Sequence, residues 1–163
     1  MRDSIVINSG YSEKEKYTSL IKQLKILLNK KDNLISNLSN LTAALKQSFD
    51  KISWAGFYLF DGEKLFLGPF QGHVACTEIE LGKGVCGTSA EKRESIIVPD
   101  VDKFPGHTVC DTGSRSEIVI PVVKNDELFG VLDIDSYKYN SFDETDRKYL
   151  TEICTFLSKE ILN

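Results

Sequence analysis

The sequence lacks any apolar run near the ~20 residues that a helix needs to cross a bilayer. It also lacks an excess of either charge. Twenty basic residues stand against 24 acidic ones, for a formal net charge of −4, and the two signs are interleaved along the chain. No basic face for nucleic acid or an anionic membrane surface is expected from that balance, so neither is an expected partner. Histidine is scarce, with only His73 and His107, and the four cysteines (Cys76, Cys86, Cys110 and Cys154) contain no C-x-x-C pair. A structural zinc site is therefore not expected, and no other metal or cofactor is implied. The opening residues Met1 to Val6 lack the basic stretch, apolar core and small-residue cleavage site of a secretory signal. The expectation is a cytoplasmic protein, a setting in which cysteines are more often metal-binding or redox-active than tied in structural disulfides.

What is present fits one domain spanning 1–163, with an ordinary globular share of apolar and charged residues. Residues 12–50 carry Leu20, Ile21, Leu24, Leu27 and Leu28, then Leu34, Ile35, Leu38, Leu41, Leu45 and Phe49, at helical spacing. Asp32 and Asn33 offer a break and a cap between two helices. A stripe that long exceeds what one sheet face needs, which points to contact with a second copy. Over 53–137 the period changes to two. Aromatic-rich strands at Ser53 to Phe60 and Lys64 to Phe70 meet through Asp61-Gly62, a hairpin signal. Short strands at Glu78 to Leu81 and Ser95 to Val98 bracket a glycine-rich turn and a short helix near Val85 to Lys92. After a long loop from Pro99 to Arg115, strands at Ser116 to Val123 and Leu128 to Asp135 form a second antiparallel hairpin. A closing helix over 142–162 has Ser141 or Asp143 as its N-cap. The expected architecture is α+β: a central antiparallel sheet with N- and C-terminal helices on one face and crossing loops on the other.

Cys154 sits within an amphipathic helical pattern and reads as a small buried hydrophobe. Cys76, Cys86 and Cys110 fall in loop-like or turn-rich sequence, ten and 24 residues apart. They are either unrelated or a relay in which one thiolate attacks and another resolves the oxidised sulfur as a disulfide. Gly82-Lys83-Gly84-Val85-Cys86-Gly87 matches a dinucleotide-binding fingerprint, with Asp102 where a ribose-binding acid would stand. An antiparallel hairpin downstream argues against the parallel crossovers such a site needs, so these glycines are expected to turn the chain over a pocket. On the last strand Asp133 and Asp135 share a face opposite Leu132 and Ile134, and Glu117 opens the neighbouring strand. Buried together, such acids raise one another's pKa; on a solvated face they would be ordinary surface groups. Trp54, Gly56 and Tyr58 share a strand face as well, either as core or as an aromatic wall with space left by the glycine. His73 and His107 stand near Cys76 and Cys110, where each is a thiolate partner or a surface residue.

Several of these runs, in order, resemble one family closely. They are Trp54-Ala55-Gly56-Phe57-Tyr58, Gly68-Pro69-Phe70-Gln71-Gly72 with Cys76, Gly82 to Gly87, Val98-Pro99-Asp100-Val101, and Phe104-Pro105-Gly106-His107 with Cys110-Asp111. Ser114 to Pro121 and Gly130 to Ser136 complete the set. Together they resemble the free methionine-(R)-sulfoxide reductases, from about Trp54 to Ser136. The resemblance implies a GAF domain whose pocket lies between the sheet and the cysteine-bearing loops. It implies that Cys110 attacks free methionine sulfoxide and that Cys76 resolves the resulting sulfenic acid. Cys86 is implied either as a participant in thiol exchange or as the nucleophile. Glu117, Asp133 and Asp135 are implied to hold the substrate's polar groups, and Trp54 and Tyr58 to surround its methyl-sulfur end. Thioredoxin or a similar dithiol is the implied reductant, and a homodimer is the expected assembly.

Two readings from other classes compete. A GAF module that binds a small molecule without catalysis predicts an output domain and leaves three cysteines around the pocket unexplained. A dimerisation protein driven by the N-terminal helices accounts for those helices and not for the cysteines.

Overall fold

The apolar stripe at the start of the chain folds as two helices, α1 (Glu13–Leu27) and α2 (Leu34–Ser48), with the expected break between them. Ser12 caps the first, and Asn33 caps the second by accepting from the Ile35 N–H at 2.9 Å. The computed structural model describes residues 4–107 and 110–163. Residues 1–3, and 108–109 within the long loop expected between Pro99 and Arg115, lie outside it.

Six strands follow the period-two segments: β1 (Trp54–Phe60), β2 (Lys64–Gln71), β3 (Glu78–Glu80), β4 (Ile96–Val98), β5 (Ser116–Lys124) and β6 (Glu127–Ser136). Between β3 and β4 lies α3 (Gly84–Lys92), and α4 (Glu144–Phe156) closes the chain, its end widening into a π-helical turn at Leu157–Ile161. The sheet order is β3-β2-β1-β6-β5-β4, and every neighbouring pair is antiparallel. No parallel crossover joins strands of this sheet, so the dinucleotide reading of the glycine run fails on topology. The β5–β6 hairpin is tighter than its sequence suggested. Lys124 pairs with Glu127, leaving a two-residue turn in which Asn125 and Asp126 both take positive φ (51° and 62°). Asn and Asp are the non-glycine residues that tolerate this conformation best.

Both faces of the sheet are covered. Ala55, Phe57, Ile118, Ile120, Val122, Leu132 and Ile134 pack against α1, α2 and α4 in the larger core. Cys154 is buried there as the helical pattern predicted, its thiol pushed up to about 12 by desolvation. The helices are also tied together by a buried polar knot. Asp146 is the N3 residue of a capping box with Asp143. It accepts from the Tyr17 hydroxyl at 2.6 Å and pairs with Lys51 Nζ at 2.8 Å.

The opposite face holds Trp54, Tyr58, Val119 and Val131, covered by α3 and the loops through Val85, Cys86, Ala90, Val98 and Val101. No helix among the described residues is long and apolar enough to cross a membrane.

Candidate active site

Strand register decides which side chains meet on that second face. Directly opposed residues project to the same side, and β1 opposes β6 with Trp54 against Asp135 and Gly56 against Asp133. β5 opposes β6 with Glu117 against Asp135. The aromatic pair from β1 and the three acids from β5 and β6 therefore share one patch of sheet. The solvated alternative is excluded for Glu117 and Asp133, which are 5% and 6% exposed.

A cavity of about 50 Å³ lies over this patch, roofed by α3 and the loop leading into β5. Seven of the eight residues to which the resemblance gives a role line it: Trp54, Tyr58, Cys86, Cys110, Glu117, Asp133 and Asp135. The eighth, Cys76, is joined to Cys110 in a disulfide with Cα atoms 5.4 Å apart. Cys76 is also held from below, since its carbonyl oxygen accepts from the Tyr58 hydroxyl at 2.9 Å. Nearby, the Trp54 indole N–H donates to the His73 carbonyl at 2.9 Å. The two aromatic residues thus anchor both ends of the segment that delivers Cys76.

Cys86 lies in the first turn of α3, within the short helix expected near Val85 to Lys92, but it is buried and free rather than exposed at a turn. Its Sγ donates to Glu117 Oε1 at 3.8 Å. The glycine run before it does turn the chain over the pocket. Gly82 and Gly84 have positive φ (78° and 62°), and a Cβ on Gly87 would fall 2.3 Å from the Glu80 carbonyl oxygen.

Gly56 also departs from expectation. The space it leaves is filled by the indole of Trp54, which stacks on Phe70 with ring centroids 5.3 Å apart. A methyl at Gly56 would lie 2.3 Å from Trp54 Cη2 and 2.5 Å from Phe70 Cβ. Gly56→Ala should therefore destabilise the fold by about 1–3 kcal/mol through overpacking, read by urea denaturation. Unchanged stability would mean that Trp54 swings away freely.

The electrostatics of the acids follow from burial. Desolvation raises the Glu117 carboxyl well above the usual range, and the charges of Asp133 and then Asp135 push it further. Asp135 is likewise raised well above its usual value, by burial and then by Asp133. Asp133 is raised too, chiefly by burial, but hydrogen bonds from Glu117 and Cys86 work in the other direction. That difference divides the roles: Asp133 is the best placed of the three to stay ionised, and Glu117 and Asp135 to stay protonated. Asp133 Oδ1 has no hydrogen-bond partner among the described residues, although it is buried. The Cys86 thiol is raised well above its ordinary value by burial and by the charges of Asp133 and Glu117. The same burial, and then Asp133, hold the Tyr58 hydroxyl protonated.

The histidines separate. His107 lines the cavity with Nε2 4.0 Å from Glu117 Oε2, whereas the His73 ring packs beside Tyr137 at 6.2 Å between centroids and does not line it. Sequence reasoning missed Ser114, whose hydroxyl donates to Asp135 Oδ1 at 3.3 Å, and Asp111, which also lines the cavity. Asp111 Oδ2 is a second buried acceptor without a partner among the described residues. Their signals were membership of the runs that carry the resemblance and position, just ahead of β5 and beside Cys110.

The GAF domain family profile matches residues 37–159. A free methionine-R-sulfoxide reductase of Saccharomyces cerevisiae is 39% identical over 96% of this chain and 92% of its own length. The chain belongs to the GAF family that includes the free methionine-R-sulfoxide reductases. The GAF domain-containing protein A of Dictyostelium discoideum is 51% identical over 96% of this chain and 99% of its own. Among solved structures, the X-ray structure of the free methionine-R-sulfoxide reductase from Neisseria meningitidis in complex with its substrate superposes with a TM-score of 0.92. It is 39% identical and covers 98% of this chain and 95% of that one. The GAF fold and its α+β architecture are thus as expected, with the N- and C-terminal helices and the pocket loops on opposite faces of the sheet.

Proposed function

We propose that this chain reduces free methionine (R)-sulfoxide to methionine with its own cysteine thiols. The observation that carries the reading is the pairing of Cys76 with Cys110 at the mouth of a cavity floored by three acids and two aromatic rings. The named function of the yeast and Neisseria relatives supports it.

In this reading Cys110 attacks the sulfoxide sulfur as a thiolate. An S–S bond forms as the S–O bond breaks, and Glu117, held protonated by burial, with a solvent proton, lets the oxygen leave as water. Water then attacks Cys110 Sγ and breaks that S–S bond. The substrate sulfur leaves with the bond's electron pair as the thioether of methionine, Cys110 becomes a sulfenic acid and one proton is released. The Cys76 thiol then condenses with the sulfenic acid to give the disulfide and one water. Asp133, ionised and with an acceptor oxygen that has no partner among the described residues, holds the substrate ammonium. Trp54 and Tyr58 wall the methyl-sulfur end. Cys86 acts neither as the attacking group nor as its partner in this scheme. Its thiol is raised by burial among carboxyls, which is the opposite of activation. A dithiol protein such as thioredoxin would reduce the disulfide. A homodimer would use the N-terminal helices, where Ile26 and Ile35 are exposed.

The deciding experiment incubates the reduced protein with each diastereomer of free methionine sulfoxide and a dithiol reductant, following methionine by chromatography. Release from the R form alone is expected. Binding without release would leave a ligand-binding GAF module.

Cys76→Ser gives a second expectation. Chemistry at Cys110 precedes resolution, so this variant should release about one methionine per site and then slow sharply with thioredoxin as reductant. An unchanged steady-state rate would assign resolution to another thiol.

A further inference from the structure

Three ligand-type side chains from three separate elements converge below the disulfide. Cys86 Sγ comes from α3, a Glu117 carboxylate oxygen from β5 and an Asp133 oxygen from β6, all within 4.8 Å of one another and all buried. An N-terminal helix turn, a sheet strand and its neighbour fix them, so their spacing does not depend on the loop above. Asp133 keeps one carboxylate oxygen, Oδ1, buried and without a hydrogen-bond partner among the described residues. A buried acceptor left open calls for a cationic or donor ligand.

We propose that the disulfide form of the protein binds a borderline-soft divalent cation, of the Zn²⁺ class, through Cys86 Sγ, Glu117 and Asp133. The donor set is mixed sulfur and oxygen, which favours Zn²⁺ over the hard ions Mg²⁺ and Ca²⁺. Zn²⁺ with its usual bond lengths holds a tetrahedral sulfur and oxygen ligand about 3.5–3.7 Å apart. The Cys86–Glu117 separation of 3.8 Å contracts to that with a small side-chain rotation. The fourth position faces the cavity and is open to water, with His107 beside Glu117 at 4.0 Å. Binding displaces the protons on Cys86 and Glu117 into solvent, leaving a thiolate and two carboxylates on the ion. No redox change occurs. The sequence search for zinc spacing missed the set because its members lie 31 and 16 residues apart on different elements. The cation would occupy the acids that the reductase reading gives to the substrate ammonium. Only the competition described next rests on that reading.

Co²⁺ serves as the spectroscopic probe, titrated into the full chain in its oxidised form. Two cysteines are then in the disulfide, and Cys154 is buried on the other face of the sheet. A thiolate-to-Co²⁺ charge-transfer band can therefore come only from Cys86. The band should appear with one equivalent of Co²⁺, vanish when Zn²⁺ is added, and be absent from Cys86→Ser of unchanged circular dichroism. Glu117→Gln should weaken Co²⁺ at least tenfold. Absence of the band from the native chain, or its survival in Cys86→Ser, would overturn the proposal. Free methionine, first titrated alone to measure its own binding, should raise the apparent Kd for Co²⁺. Methionine that binds without displacing Co²⁺ places the ion elsewhere and overturns the site. Methionine that does not bind at all counts against the reductase reading, and the two variants still decide the metal site.

Discussion

Cys110→Ser is expected to lose single-turnover methionine release by on the order of 10³-fold or more. A hydroxyl stays protonated near neutral pH and is a far weaker nucleophile toward sulfur than a thiolate, so no residual route through position 110 remains. The result also decides between two thiols that face the same cavity. Cys110 sits in the loop that enters β5 and is only partly buried. Cys86 is buried against Glu117 and Asp133, and that burial and then the Asp133 charge oppose its ionisation. If Cys86 were the nucleophile, Cys110→Ser would keep its first turnover and lose only later ones. Rapid quench with reduced enzyme in excess separates those outcomes, because resolution then plays no part. Full first-turnover release from Cys110→Ser would move the attack to Cys86 and require the acids to release its proton. Mass spectrometry of the quenched native enzyme adds a check, since the Cys76–Cys110 bridge should accumulate in step with methionine.

Periodicity carried most of the fold. The change from helical spacing to alternation near Ser53 coincides with the start of β1 at Trp54. Asn33 and Asp143 were visible as caps because a side-chain oxygen before an apolar repeat has a local reason to be there. The acids were legible as a group because two-residue spacing on β6 fixes their common face whatever surrounds them. Whether that face was buried was not legible. It depends on α3 and the β5-entry loop folding over the sheet, which are contacts distant in sequence. The same limit hid the burial of Cys86. The short helix that carries it was legible after the glycine turn, but that this helix points the thiol inward was not. Gly56 misled for a related reason. Alternation places Trp54 and Gly56 on one face and cannot show that the indole bends along the strand to cover the glycine. Ser114 and Asp111 carried no periodic signal, because their places in the cavity come from loop conformation.

Replacing the acids should alter which substrates are accepted as well as the rate. Glu117 opposes Asp135 across β5–β6, and Asp133 opposes Gly56 across β1–β6, so the carboxyls converge on one end of the cavity. Asp133→Asn keeps the size of the side chain and removes the charge best placed to meet an ammonium. The lost charge-assisted contact is worth about 1.5–3 kcal/mol, which is roughly ten- to hundredfold in kcat/KM. Acetylating the amino group of methionine sulfoxide removes the same charge from the other partner. The native enzyme should therefore discriminate strongly against the acetylated substrate, and Asp133→Asn should narrow that ratio. Glu117→Gln should behave differently, because in the proposed scheme Glu117 gives the proton. Burial and the neighbouring carboxylates keep Glu117 protonated well above the usual carboxyl range. The acid form is present below its raised pKa and is lost as pH rises through it, so native kcat/KM should fall on that alkaline side. Glu117→Gln cannot donate a carboxyl proton at any pH, so it should lower the rate and flatten this limb while leaving the preference for a free amino group in place. Rates for the two substrates across pH, in both variants, test the division directly. If Asp133→Asn keeps the native preference ratio, Asp133 does not read the ammonium. If Glu117→Gln keeps the alkaline limb, another group supplies the proton, and His107 beside it is the next to replace.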